Sequence, residues 1–263
     1  MHLTLITGRW FPPKINFLLN PELKPYQHSD TNKKEEVGTM FNRIAGTYDF
    51  LNHFLSGGVD FYWRKKAVKT ITANQPHQIL DMATGTGDLA LEINKRYPSA
   101  QILGIDLADK MIEIGESKIK RKGLEKNIRF EVGDSENINH PSNTFDVATV
   151  AFGVRNYQNL SKGLIELNRV LKPSGQLVVL EFSMPKNPIL STIYQWYFKN
   201  ILPQIGRITS KDPAAYDYLF RSVQAFPDGQ NFLDILSASG FEKCTCNPLT
   251  FGICTIYSGF KKS

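Results

Sequence analysis

The run Leu80-Asp81-Met82-Ala83-Thr84-Gly85-Thr86-Gly87-Asp88 has the residue types and spacing of a ligand-holding turn. Gly85 and Gly87 carry no Cβ, so the chain can bend tightly and bring backbone N–H groups close to a bound group. With Ala90 three places on, the run fits the loose dinucleotide fingerprint G-x-G-x-x-G/A. Alone that signal is weak, since strand-to-helix turns often hold glycine. Asp106 closes the next apolar run, 19 residues after Gly87, where a carboxylate can accept both hydroxyls of a ribose. Asp134-Ser135 closes the third run. Asp81, Asp106 and Asp134 then gather around one crevice, and without compensation their charges repel. A ligand with amino, sulfonium, ribose and adenine groups suits that crevice. NAD suits it less, because its pyrophosphate would meet Asp81 and Asp88.

Short apolar runs at Ile79–Ala83, Ala100–Ile105, Ile128–Val132, Phe145–Phe152 and Gly175–Phe182 predict buried strands. Between them Leu89–Tyr97, Lys110–Lys122 and Leu160–Leu171 are amphipathic near a period of 3.6. Such alternation predicts an α/β, Rossmann-like fold: a mostly parallel sheet with helices on both faces. Gln230–Ser239 predicts a helix ending at Gly240, followed by strands over Phe241–Asn247 and Phe251–Phe260. Two strands with no helix between them are antiparallel, which gives a seven-stranded sheet mixed at one edge. Upstream, Val37, Met40, Phe41 and Ile44 fall at helix spacing, Gly57-Gly58 breaks the pattern, and Trp63–Thr72 forms a second helix. The expected organisation is an irregular extension over 1–30, a helical cap over 31–75, and a catalytic domain over 76–263 with an aromatic-rich insertion at 185–227.

The chain has 263 residues, 41% hydrophobic and 21% charged, enough for a full core and against global disorder. Its net charge of +6 tolerates an anionic partner without demanding one. No helix concentrates Lys and Arg with interleaved aromatics, so no nucleic-acid partner is expected. Three cysteines, Cys244, Cys246 and Cys254, lack C-x-x-C spacing; they read as buried thiols in a reducing compartment, and a cytoplasmic location is expected. No apolar run is long enough to span a bilayer, and Pro12-Pro13 splits the amino-terminal apolar runs. His53 has no partner at ligand spacing and reads as a surface or satisfied histidine; no His/Cys/Asp set has metal geometry, so no metal is expected. Lys118–Lys122 reads as a solvated helix end.

Four blocks carry a family resemblance. Tyr48-Asp49-Phe50-Leu51-Asn52-His53-Phe54-Leu55-Ser56 with Trp63, and Arg169-Val170-Leu171-Lys172-Pro173-Ser174-Gly175 through Leu180-Glu181-Phe182-Ser183, are the longer two. Phe152-Gly153-Val154-Arg155-Asn156 and the glycine turn complete the set. From about Val37 to Lys261 the chain resembles the ubiquinone/menaquinone biosynthesis C-methyltransferases. It departs at Asp60, where His is usual, at Leu51 (Met), at Ser174 (Gly), and at Ala151, where a frequent Ser contacts the cofactor.

The resemblance implies a class I methyltransferase fold and S-adenosylmethionine as co-substrate. It implies that Thr86, with Gly85 and Gly87, contacts that co-substrate, that Asp106 holds its ribose, and that Asp134 and Ser135 flank its adenine. Asp81 either faces the amino or sulfonium end through a water or caps the turn. The implied reaction is C-methylation of a demethylated isoprenoid quinol, demethylmenaquinol before its benzoquinol counterpart, with another small phenol or a sterol as further alternatives. The ring carbon is nucleophilic once a neighbouring hydroxyl loses its proton. Arg155 either stabilises that charge as a catalytic group or pairs structurally with Asp134 or Glu181. Isoprenoid tails leave open a peripheral contact at the inner face of a membrane, through the Ile189–Phe198 stretch. The alternatives for that stretch are packing on the sheet edge or a homodimer contact.

Overall fold

The computed structural model describes residues 23–26, 31–73, 75–200 and 212–263. Most of the expected 1–30 extension, and residues 201–211 of the expected insertion, lie outside the described residues. Helices α1 (Lys33–Leu55) and α2 (Val59–Thr70) come first. Then follow β1 (Gln78–Met82), α3 (Asp88–Arg96), β2 (Gln101–Asp106), α4 (Asp109–Lys122), β3 (Ile128–Val132) and β4 (Phe145–Ala151). The remainder is α5 (Leu160–Val170), β5 (Leu171–Phe182), α6 (Pro188–Asn200), α7 (Pro213–Ala225), α8 (Gln230–Ala238), β6 (Phe241–Leu249) and β7 (Cys254–Lys261).

The seven strands form one sheet in the order β3-β2-β1-β4-β5-β7-β6. β1 through β5 are parallel, and β7 runs antiparallel between β5 and the rim strand β6, which is the expected mixed edge. Alternation along the strands sorts the core into two layers. Leu80, Met82, Leu103, Ile105, Ala148 and Val150 pack with α5 and α8 on one face. Ile79, Ile102, Val147, Val178 and Ile256 pack with α2, α3 and α4 on the other. A third cluster joins α1 (Val37, Met40, Ile44) to α4 (Met111) and α7 (Tyr216, Tyr218). Asn32 caps α1, its side chain accepting from the Glu35 amide at 3.0 Å.

Two strands start three or more residues away from the sequence reading, while the other strand ends shift by two or fewer. β7 starts at Cys254 instead of Phe251, because Phe251 has φ 58° and lies in a short turn over Thr250–Gly252. β5 starts at Leu171 instead of Gly175, with a register shift opposite Phe145–Val147. Inside it Ser174 has φ 61°, the left-handed region that favours glycine.

Phe130 of β3 fixes how the glycine turn sits on the sheet. A Cβ added at Gly87, Gly104 or Gly115 would come within 2.5 Å of its ring, the three positions belonging to the start of α3, to β2 and to α4. One ring thus fills a slot that exists because three neighbours lack side chains. Gly104→Ala is expected to destabilise the fold by about 1–3 kcal/mol through overpacking, and Phe130→Leu in the same chain should recover part of that loss. Urea denaturation of the single and double variants measures both effects.

Candidate active site

The order β3-β2-β1-β4-β5 reverses between β1 and β4, and open α/β sheets bind ligands outside the carboxyl ends of the strands at that point. A cleft of about 680 Å³ lies there, lined by Met82, Ala83 and Gly85 after β1, Asp106 and Leu107 after β2, and Gly133 to Glu136 after β3. Ala151 to Gly153, Asn156 and Tyr157 after β4 close the opposite side. The fourth wall is one face of α1, carrying Lys34, Val37, Gly38, Phe41 and Tyr48. Ala83 (φ 54°) and Phe152 (φ 58°), one after each of the two central strands, both hold the left-handed conformation, strain of the kind concentrated at binding sites.

Each of the three carboxylates is compensated by groups of the protein itself. Asp106 accepts from the Gly85 amide at 2.8 Å and from the Ala108 amide at 2.9 Å. Burial nevertheless pushes its carboxyl up, against those bonds. Asp134 accepts from Lys34 Nζ at 2.6 Å and from the Glu136 amide at 2.9 Å. Burial works against the Lys34 ammonium, but Asp134 and Glu136 outweigh it and raise its pKa. Asp81 is fully enclosed and accepts from Thr84 Oγ1 at 2.6 Å and Thr149 Oγ1 at 2.7 Å, tying the glycine turn to β4. Burial pushes Asp81 up to about 6 despite those hydroxyls.

Gly85, Asp106, Asp134 and Ser135 therefore meet in one cleft; Thr86 does not join them through its side chain. Its hydroxyl donates to Asp49 at 2.5 Å and accepts from Lys118 Nζ at 2.8 Å. Gly87 (φ 85°) starts α3 rather than lining the cleft. Lys118 is not part of a solvated helix end: its ammonium also bonds Asp49 at 2.6 Å and Asp88 at 2.8 Å. Beyond Asp88 the polar chain continues through Arg64 to Asp60, which His53 contacts through Nδ1 at 2.6 Å while stacking on Phe61. His53 is satisfied, by a residue seven places on. Among the described residues no group of three or more His, Cys, Asp or Glu could hold a metal ion.

A second cavity, apolar and open to solvent, adjoins the cleft. Trp63, Phe182, Leu190, Ile193, Tyr194, Leu219 and Val223 line it, and Arg155 is the one charged side chain among its described lining residues. Phe152 and Phe182 stack there with ring centroids 4.5 Å apart. Tyr48 and Phe152 belong to the walls of both spaces. Burial pushes the Tyr48 phenol up, with Asn52, Arg155 and Arg64 opposing, so it stays a donor at neutral pH.

Arg155 takes the partner that was one of its two structural alternatives. Nη1 donates to Glu181 at 2.7 Å and to the Phe152 carbonyl at 2.5 Å, and Nε donates to Ser222 at 3.2 Å. Glu181 has no exposed surface, and burial pushes its carboxyl up against the pull of Arg155 and two backbone amides. Asn156, in the same turn, lines the cleft, and its Oδ1 is buried without a hydrogen-bond partner. Lys34, the partner of Asp134, was missed: the two lie 100 residues apart and no local pattern links them.

Residues 29–261 match the model of the ubiE/COQ5 methyltransferase family. A demethylmenaquinone methyltransferase of Bacteroides fragilis is 41% identical over 240 residues, covering 91% of this chain and 98% of that protein. The ubiquinone/menaquinone biosynthesis C-methyltransferase UbiE of Geobacter sulfurreducens is 44% identical over 232 residues, 88% of this chain and 90% of its own length. Among solved structures, a SAM dependent methyltransferase from Aquifex aeolicus matches with TM-score 0.56 at 18% identity, over 75% of this chain and 88% of that one, a likeness of fold.

Asp81 gives a pH signature. With a folded pKa near 6 against 3.8 unfolded, the native state binds the proton more tightly, so this residue's contribution to stability falls as pH rises through that window. Acidification from pH 7 towards 4 is expected to favour the parent over Asp81→Asn by up to about 3 kcal/mol, measured as the change in their difference in unfolding free energy.

Proposed function

This chain belongs to the ubiE/COQ5 methyltransferase family, and on that premise we propose that it transfers a methyl group from S-adenosylmethionine to a ring carbon of a demethylated isoprenoid quinol, demethylmenaquinol foremost. The observation that carries this reading is the pair of spaces sharing Tyr48 and Phe152: one rimmed by the carboxylates Asp106, Asp134 and Glu136, the other apolar and aromatic with a single charged residue. A polar cationic donor and a flat apolar acceptor need that division, with the reacting atoms brought together at the common wall.

The co-substrate supplies a methyl group bound to a positively charged sulfur. Asp106 would accept from its ribose diol, a charge-assisted pair, while its amide contacts keep the carboxylate oriented. Asp134 and Ser135 would border the adenine. The unpartnered Asn156 Oδ1 fits a ligand rich in N–H donors. Gly85 and Gly87 shape the turn, and the hydroxyl of Thr86 ties it to α1 through Asp49. In the apolar cavity the aromatic walls would exclude water from the quinol ring. Arg155 would stand beside the phenolate as its hydroxyl proton departs, which raises the nucleophilicity of the neighbouring ring carbon. The C–CH₃ bond would form as the S–CH₃ bond breaks, its electron pair staying on sulfur so that neutral S-adenosylhomocysteine leaves. The ring proton would pass to water at the mouth of the cleft as the ring regains aromaticity.

The tail requires an exit. On α6, Leu190 and Tyr194 line the apolar cavity, whereas Ile189 and Trp196 are 72% and 58% exposed. That exposed face supports peripheral contact with a bilayer in which the tail stays dissolved. Among the described residues no helix is long and apolar enough to cross a membrane.

Purified protein with methyl-labelled co-substrate and tail-bearing demethylmenaquinol should place label on ring carbon faster than with the benzoquinol counterpart; no carbon-bound label from either overturns the reading, and the reverse order exchanges the acceptor. Asp106→Ala should weaken S-adenosylhomocysteine binding about 10- to 100-fold by calorimetry. Arg155→Gln combined with Glu181→Gln leaves no unpaired buried charge. It should lower kcat by about tenfold or more while leaving S-adenosylhomocysteine affinity unchanged.

A further inference from the structure

Tyr48 and Asn52 reach the two cavities from α1, whereas Arg155 and Asn156 reach them from a three-residue turn after β4, Val154–Asn156. These elements are more than 100 residues apart in sequence, and catalysis by positioning needs them in fixed register. The turn holds itself by two backbone bonds, Asn156 N–H to Gly153 at 3.0 Å and Tyr157 N–H to Val154 at 3.2 Å. Lys33 joins it to α1, beside the Lys34 amide, which donates to Gln158 Oε1 at 3.3 Å just past the turn. From the first residue of the helix the Lys33 ammonium donates to the Tyr157 carbonyl at 2.9 Å and to the Arg155 carbonyl at 3.3 Å. The side chain is buried, with the residue 5% exposed.

We propose that Lys33 is a positioning residue for methyl transfer, a clamp that sets the Arg155–Asn156 turn in register with the α1 wall of the cleft. The inference rests on the roles given above to Arg155 and Asn156.

The arrangement is a costly way to anchor a helix. Burial disfavours the ammonium, and although Glu136 supports the charge, Arg155 opposes it; the amine is pushed down to about 8. Its hydrogen-bond partners are two main-chain carbonyls, not a carboxylate. An apolar side chain would pack α1 at that point without a desolvated cation. An ammonium does what an apolar group cannot: it draws two carbonyls of one turn to a single point, and so fixes the turn's orientation as well as its distance. The consequence extends along the helix. Tyr48 lies 15 residues beyond Lys33, about 22 Å at the helical rise, so a small tilt at the clamped end displaces the shared wall at the other.

Lys33→Met tests the clamp. It is expected to lower kcat by about 10- to 100-fold, with KM for demethylmenaquinol and the Kd for S-adenosylhomocysteine within about threefold of the parent, and to accelerate amide exchange at residues 154–158. Lys33→Gln, which keeps donors on a shorter arm, should fold readily and lie between the two. Parent-like kcat in both variants overturns the proposal, as does loss of S-adenosylhomocysteine binding in proportion to kcat, which marks a structural tie. If the parent protein is silent with quinol acceptors, the functional reading has failed. Amide exchange at the turn then judges the clamp by itself, and unchanged exchange in Lys33→Met rejects it.

Discussion

Three acids sit where the sheet turns its strand ends towards one cleft, and each must be neutralised differently before a ligand arrives. Asp81 is sealed by two threonine hydroxyls, Asp106 by two main-chain amides, and Asp134 by the ammonium of Lys34. Hydroxyls keep Asp81 within the fold, as a strut between the glycine turn and β4. Amides orient Asp106 but leave each carboxylate oxygen a further lone pair for a ligand. The lysine arrives from α1, so the charge balance of the third acid depends on the helix that walls the cleft. Electrostatics at the strand ends thus dictate that α1 belongs to the site and is more than a cover.

The same helix is fastened at both ends. Near its start Lys33 and Lys34 hold the turns after β4 and β3, and further on Asp49 engages Thr86 and Lys118 beneath the glycine turn. Between those ties Val37 and Phe41 face the cleft while Met40 and Ile44 pack towards α4 and α7. A helix carrying Tyr48 into two cavities is thereby registered against the turns after β1, β3 and β4.

Much of this was legible in the chain. The alternation of apolar runs and amphipathic segments gave the sheet and its mixed edge, because buried parallel strands need continuous apolar residues and helices need a 3.6 period. Gly85, Asp106, Asp134 and Ser135 were legible as neighbours because strand ends in this topology share one edge. Two of the partners were not. Lys34 and Lys118 look like solvated residues locally, and their contacts span 100 and 69 positions respectively, whereas Glu181 was one of the two carboxylates offered for Arg155 and is the one the fold supplies. Nor were the partners of the Thr86 hydroxyl legible, Asp49 and Lys118, which packing across α1 and α4 brings to it. Phe251 defeated the strand boundary because its left-handed backbone leaves no trace in hydropathy.

The partition between the carboxylate-rimmed cleft and the apolar cavity is built from single rings, those of Tyr48 and Phe152. Such a partition has no private side. On the proposed reading, altering either ring would reshape the seat of both reactants at once, so donor and acceptor selectivity would not be separately adjustable there. Freedom to accept a different quinol would then reside farther out, in the lining supplied by α6 and α7.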